Sequence, residues 1–166
     1  MKKLYYFLLP VLFLTACSHT YYVVRHAEKE AQAPNMSGDV PLSAAGKQRA
    51  EALKAMLANK KIKGVYSTNT IRTTTTAKPT ADYFRLPINT YGPRPDSVFI
   101  SMIKSSSKNL LIVGHSNTVD EIVNGLTGSK SVPGDLNDSE YSHLFIIKVK
   151  GKTVKFEDKT YGNKTP

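Results

Sequence analysis

At 166 residues the chain is long enough for one domain with a full core, and it is basic, with 23 Lys and Arg against 13 Asp and Glu. A single cysteine excludes a disulfide-held scaffold. The basic residues are spread along the chain apart from Lys60, Lys61 and Lys63, and no zinc-finger spacing or RNA-binding aromatic motif accompanies them, so nucleic acid is not among the expected partners. The charge reads instead as a solvated basic face near a membrane, or as a field that steers phosphorylated substrates.

Met1 to Ala16 has the form of an export signal: Lys2 and Lys3, an apolar run from Leu4 to Phe13 broken by Pro10, then small residues. The run falls short of the roughly 20 residues of a membrane-spanning helix. Leu14-Thr15-Ala16-Cys17 resembles the bacterial lipoprotein box. That resemblance implies lipidation of Cys17, a membrane anchor, and a short tether over residues 17–20 before a domain at 21–166. With Ser18 after the cysteine, it further implies the outer membrane of a Gram-negative cell, facing the periplasm. The alternative is a secreted protein with a spare thiol.

Tyr21 to Arg25 is a β-branched and aromatic strand. Ala27 to Leu42 carries Pro34, Gly38 and Pro41 and reads as a loop. Ser43 is a plausible N-cap for a helix to about Asn59 that buries Ala50, Leu53 and Leu57. Gly64 to Ser67 is a short strand. Asn69 is placed to cap a helix reaching about Phe84, which Pro79 should kink or interrupt. Leu86 to Thr90 suggests a third strand, Tyr91 to Asp96 a loop, and Ser97 to Lys104 a short helix. Leu110 to Val113 is a continuous apolar strand of the buried parallel type. Asn117 or Thr118 caps a helix through Leu126. Tyr141 to Lys150 and Thr153 to Phe156 close the chain as strands around Gly151-Lys152. Alternating strands and helices predict an α/β three-layer sandwich whose central sheet is mostly parallel, with an antiparallel edge.

Two motifs stand at strand ends: Arg25-His26 and Gly114-His115-Ser116. In an open α/β sheet, ligands bind outside the carboxyl ends of the strands. An arginine at a strand end is uncommon unless it is paired or binds an anion. Arg72 falls in the first turn of a helix after a strand, where the dipole and free N–H groups also favour anions. Gly114, without a side chain, allows a ligand close to the backbone. Two imidazoles and fixed guanidinium groups suit phosphoryl transfer: one imidazole takes the phosphoryl group and the cations hold its oxygens. Tyr91 is a candidate for the rim of the pocket. His19, in the tether, and His143, in a peripheral strand, are not assigned to the site.

These residues resemble the histidine phosphatase superfamily, the fold of cofactor-dependent phosphoglycerate mutases. Arg25-His26-Ala27 stands for its Arg-His-Gly signature, Leu42-Ser43-Ala44-Ala45-Gly46 for its helix start, Ser67 with Arg72-Thr73 for its Ser-x-x-x-x-Arg-Thr segment, and Gly114-His115-Ser116 for its second histidine motif. The resemblance implies a phosphoglycerate mutase-like fold and an exported phosphomonoesterase with His26 as nucleophile. Arg25, Arg72, His115 and Ser116 would bind the phosphate, without cofactor or metal. The alternative is a non-catalytic module that binds phosphate in the same pocket. The family's carboxylate after the second helix has no clear counterpart here. Glu28 is the first candidate for proton donor, Asp39 the second, and Asp120 or Glu121 the third. The expected partner is a phosphorylated small molecule or an envelope phosphate ester, and the chain is expected to be a monomer.

Overall fold

The computed structural model describes residues 18–32 and 38–165, so the signal segment and Cys17 lie outside the described residues. Six strands form one sheet: β1 (Ser18–Arg25), β2 (Gly64–Thr68), β3 (Ile88–Tyr91), β4 (Leu110–Gly114), β5 (His143–Lys150) and β6 (Thr153–Thr160). The helices are α1 (Ala44–Leu57), α2 (Ile71–Phe84), α3 (Ser97–Ser105) and α4 (Val119–Thr127). Strand order is β3-β2-β4-β1-β5-β6. Pairing is parallel among the first four and antiparallel at the β1–β5–β6 edge. This is the α/β three-layer fold expected. No helix among the described residues is long and apolar enough to cross a membrane.

Strand periodicity builds two cores. Successive side chains alternate across a sheet. Tyr21, Val23, Leu110, Ile112, Phe145 and Ile147 therefore pack beneath α3 and α4 with Ile103, Val119, Ile122 and Leu126. Tyr22, Val24, Leu111, Val113, Leu144 and Ile146 pack on the other face with Leu53 and Leu57 of α1 and Ala77 and Ala81 of α2. The central strands β1 and β4 are covered on both faces, which is why they read as unbroken apolar runs.

Several boundaries differ from the sequence reading. β1 starts at Ser18 rather than Tyr21, because Ser18, His19 and Thr20 pair with Lys150, Val149 and Lys148 of β5. Residues 18–20 are thus strand and not tether, a consequence of cross-strand pairing that their own polar pattern does not announce. α2 is capped by Thr70, whose hydroxyl accepts from Thr73 N, and not by Asn69. Pro79 sits inside α2 without ending it: the proline forgoes one backbone donor, while Thr76, Ala77, Thr80 and Ala81 keep that turn seated on the sheet. β6 runs on to Thr160 because every residue of β5 has a partner in it.

The segment after β1 is fixed by α1. Ser43 caps the helix by accepting from Gly46 N at 3.1 Å, and Ser43 N donates to Glu28 O at 2.9 Å. Gly46 is where this contact becomes close. A Cβ on it would sit 2.1 Å from Glu28 O. Replacing a helical glycine by alanine ordinarily stabilises by about 1 kcal/mol. Here the sign should reverse: Gly46→Ala should lower the unfolding free energy by roughly 1–3 kcal/mol through overpacking. Urea denaturation checks this, and a stabilised variant would contradict the packing.

Candidate active site

Both histidine motifs end central parallel strands. Arg25 of β1 lies opposite Gly114 of β4, and His26 N donates to Gly114 O at 2.9 Å, one residue past the ladder. This brings the two imidazoles together with ring centroids 5.5 Å apart. They open into a cavity of about 480 Å³ lined by Arg25, His26, Lys29, Thr70, Arg72, Pro93, His115, Ser116, Asn117 and Asp138. Five expected site residues, Arg25, His26, Arg72, His115 and Ser116, therefore share one cavity.

His26 is buried, and its Nδ1 lies 2.8 Å from Ala27 O. A carbonyl only accepts, so Nδ1 carries the hydrogen and Nε2 keeps its lone pair in the neutral ring. Burial pulls the His26 pKa down to about 3, with Arg25, Arg72 and His115 adding to the depression against the Ala27 hydrogen bond. Desolvation, more than the neighbouring cations, keeps the ring neutral.

His115 is arranged in the complementary way. Its Nδ1 lies 3.4 Å from Arg72 Nη2, a pure donor, which leaves Nε2 to donate to Thr68 Oγ1 at 2.8 Å. Thr68 is held in turn by Thr73 at 3.0 Å. The His115 pKa is lowered to about 4, chiefly by burial and then by Arg72 and Arg25, with Asp39 opposing them. A phosphate dianion beside these groups would supply the negative charge that favours proton uptake on His115.

The two arginines are fixed differently. Arg25 Nη1 donates to the carbonyls of Asn137, Asp138 and Glu140, and its guanidinium lies 4.1 Å from the centre of the Tyr141 ring. Its Nε is buried with no protein partner among the described residues. One edge of the guanidinium thus anchors the loop before β5, and Nε remains for an anion. Arg72 Nη1 donates to Gly38 O at 3.2 Å and lies 3.5 Å from Asp39 Oδ1. The Asp39 carboxylate also accepts from Ile71 N, at the start of α2. Asp39 therefore positions Arg72 and the helix that carries it.

Glu28 is not in the cavity. Both its carboxylate oxygens accept from Arg49 Nε, at 2.9 and 2.8 Å, and Oε1 also accepts from Nη2 at 2.7 Å. Burial alone would raise the Glu28 carboxyl, but the Arg49 hydrogen bonds and charge outweigh it and hold it below the ordinary carboxylate value. A carboxylate so held does not serve as the proton donor, and the expectation for Glu28 is corrected on that ground. Arg49 completes the arrangement by donating to Tyr161 O and Asn163 O, which ties down the chain after β6. The third candidates also lie elsewhere: Glu121 pairs with Arg94 at 2.9 Å, and Asp120 is absent from the lining.

Two further readings change. Tyr91 is not on the rim: its ring stacks on Phe99 at 4.2 Å, and its hydroxyl donates to Val113 O at 3.0 Å. Gly114 is required by the protein itself, since a Cβ there would lie 3.0 Å from Thr118 Oγ1 and 3.1 Å from Tyr91 Oη. Sequence reasoning missed Lys29 and Asp138, which line the cavity from loops without a motif.

Residues 21–92 match the histidine phosphatase superfamily (branch 1). The match takes in Arg25-His26 and Arg72, while His115 joins them through the β1–β4 pairing. Solved structures share the fold. A protein of Agrobacterium tumefaciens assigned as the phosphohistidine phosphatase SixA aligns with a TM-score of 0.67 and 18% identity over 86% of this chain and 98% of its own. The protein histidine phosphatase SixA in complex with tungstate gives 0.67 and 15% over 85% and 96%. A phosphoglycerate mutase from Bacillus anthracis gives 0.60 and 14% over 87% and 94%. No curated protein matches the sequence. The fold is phosphoglycerate mutase-like, and the family match over residues 21–92 supports the histidine phosphatase superfamily.

Two outcomes follow from the site. The folded pKa of His26 lies below the 6.5 of a free imidazole. The unfolded chain therefore binds more protons between pH 6.5 and about 3, so stability is full above pH 6.5 and falls as the pH drops through that window. His26→Gln should flatten the fall in Tm between pH 7 and pH 4.5, measured by calorimetry, whereas an unchanged slope would contradict the buried neutral ring. Glu28→Ala strips the buried Arg49 of its partner and should cost about 3–5 kcal/mol in denaturant unfolding. The same variant should keep the wild-type ratio of rates on aryl and alkyl phosphates; a selective loss on alkyl phosphates would restore Glu28 to the chemistry.

Proposed function

We propose that this chain is an exported phosphomonoesterase that hydrolyses phosphate esters through a phosphohistidine on His26. The observation that carries the reading is the hydrogen bond from His26 Nδ1 to Ala27 O, which leaves Nε2 unprotonated on a residue that lines the cavity with Arg25, Arg72 and His115. In this mechanism Nε2 attacks phosphorus and the P–O bond to the leaving group breaks. Arg25 Nε, Arg72 and a protonated His115 hold the three transferring oxygens, an arrangement in which one preorganised donor is worth about 3–4 kcal/mol. Water then attacks the phosphohistidine, releasing phosphate and regenerating the neutral ring. Export and a lipid anchor on Cys17 are part of the proposal and rest on the N-terminal sequence alone.

The carboxyl group that could place the proton on the leaving oxygen is Asp138. It is the sole carboxylate among the residues that line the cavity, with Oδ1 3.6 Å from Arg25 Nη2 and its side chain fully exposed. The open, wet position suits leaving groups that need little protonation, such as aryl phosphates.

The test uses the purified full chain. Wild type should turn over 4-nitrophenyl phosphate, and His26→Gln should lose at least about 10³-fold in kcat. A wild type that binds tungstate and turns over no phosphate ester would establish the non-catalytic anion-binding module instead. Asp138→Asn should lower kcat/KM on alkyl phosphates at least about 10-fold more than on aryl phosphates, the signature of a general acid. Equal losses on both classes would leave water as the donor.

A further inference from the structure

The end of the sheet opposite the cavity carries its own pattern. β1, β2 and β4 are parallel, so all three begin at that end, and β5 finishes there. The connections around the start of β1 are residues 58–63, 106–109 and 151–152. With Lys150 beside Ser18, they present Lys60, Lys61, Lys63, Lys108, Lys150 and Lys152, and they contain no acidic residue. All six lysines are exposed, and none has an ion-pair partner among the described residues. Four lysines elsewhere, Lys54, Lys78, Lys148 and Lys159, sit against a carboxylate; what sets this end apart is six cations on adjoining connections that hold no acid.

These connections form one surface. Asn109 accepts from Thr20 N with Oδ1 at 2.8 Å, donates from Nδ2 to Lys60 O at 2.7 Å, and accepts from Lys63 N with its carbonyl at 2.8 Å. The Tyr21 hydroxyl reaches Ser106 O at 3.1 Å. Lys61 holds a left-handed backbone with φ 51°, a conformation that glycine adopts more readily, so the loop carries a cation where its geometry favours a smaller residue.

We propose that this lysine-ringed end docks on an anionic phospholipid bilayer and points the cavity away from it. Two observations commit the surface to a membrane. Its charge is of one sign and unpaired, as a juxtamembrane polybasic segment is. The described chain also starts at this end, with Ser18 next in sequence to Cys17. An eight-residue strand then sets the cavity about 25 Å from the lipid. The orientation is consistent with the anchor proposed above, but the electrostatic attraction does not require lipidation, and neither depends on phosphatase activity.

The experiment is partition of the full chain onto vesicles of pure phosphatidylcholine and of phosphatidylcholine with 30% phosphatidylglycerol as a probe composition. The ratio of the two partition coefficients cancels the apolar contribution of the N-terminal segment. Each lysine at the surface is worth about fivefold. The triple variant Lys60→Gln, Lys61→Gln, Lys63→Gln should therefore lower the ratio by roughly 100-fold at low salt. A matched triple elsewhere, Lys47→Gln, Lys78→Gln, Lys159→Gln, should lower it less than about fivefold, and 0.5 M salt should remove the preference of the wild type. Equal loss in both triples, or no preference in the wild type, overturns the proposal. So does an end whose lysines bind RNA and not vesicles. Orientation is read with a single introduced tryptophan, since the sequence has none. Brominated lipid should quench Ser107→Trp and spare Asn117→Trp, and the reverse pattern would place the cavity against the membrane.

Discussion

The site depends on one parallel pairing. β1 and β4 lie side by side with Arg25 opposite Gly114, and the hydrogen bond from His26 N to Gly114 O carries the contact past the last ladder residue. That register sets two imidazoles from chain positions 89 residues apart within 5.5 Å of one another. A slip of one residue would turn every side chain of β1 to the opposite face. Tyr21 and Val23 pack on one core and Tyr22 and Val24 on the other, so the hydrophobic register and the register that pairs the two histidines are the same constraint.

The second constraint is the handling of charge at that junction. Two arginines and two imidazoles converge on one cavity, and the protein makes this tolerable in three ways. The imidazoles are neutral because burial disfavours their charged forms. Arg25 keeps its charge and is hydrogen-bonded chiefly to backbone carbonyls of one loop, which occupy its Nη1, while its Nε has no partner among the described residues. Arg72 leans on Asp39, which also serves the N–H of Ile71. Carboxylates that would fill the anion site are kept off it. Glu28 is turned away into Arg49, and Asp138 stands at the exposed rim. The result is a cavity in which a neutral imidazole stands among fixed positive groups.

The sequence disclosed the parts that local pattern controls. The apolar runs ending in Arg25-His26 and Gly114-His115 located two strands and the end at which the site forms. Ser43, Ala50, Leu53 and Leu57 drew α1 correctly. What it did not disclose depends on partners far along the chain. Ser18 to Thr20 and the second half of β6 are strand only through β5. Glu28 looked catalytic from its place two residues after His26. The correcting signal was Arg49, a charged residue in step with Leu53 and Leu57 on the buried stripe of α1, where an arginine needs a buried acid. Asp138 comes from a loop with no periodicity, and only the grip of Arg25 on that loop brings it to the cavity.

The account stands on His26 Nε2 as the atom that takes the phosphoryl group. The most direct measurement mixes wild type with an aryl phosphate, quenches in alkali within the turnover time, and locates the added phosphoryl group by peptide mass spectrometry. The account predicts a phosphohistidine at His26, formed through Nε2 and absent from His26→Gln. Phosphoryl label on a serine or aspartate, or steady turnover with no adduct at any quench time, would contradict it.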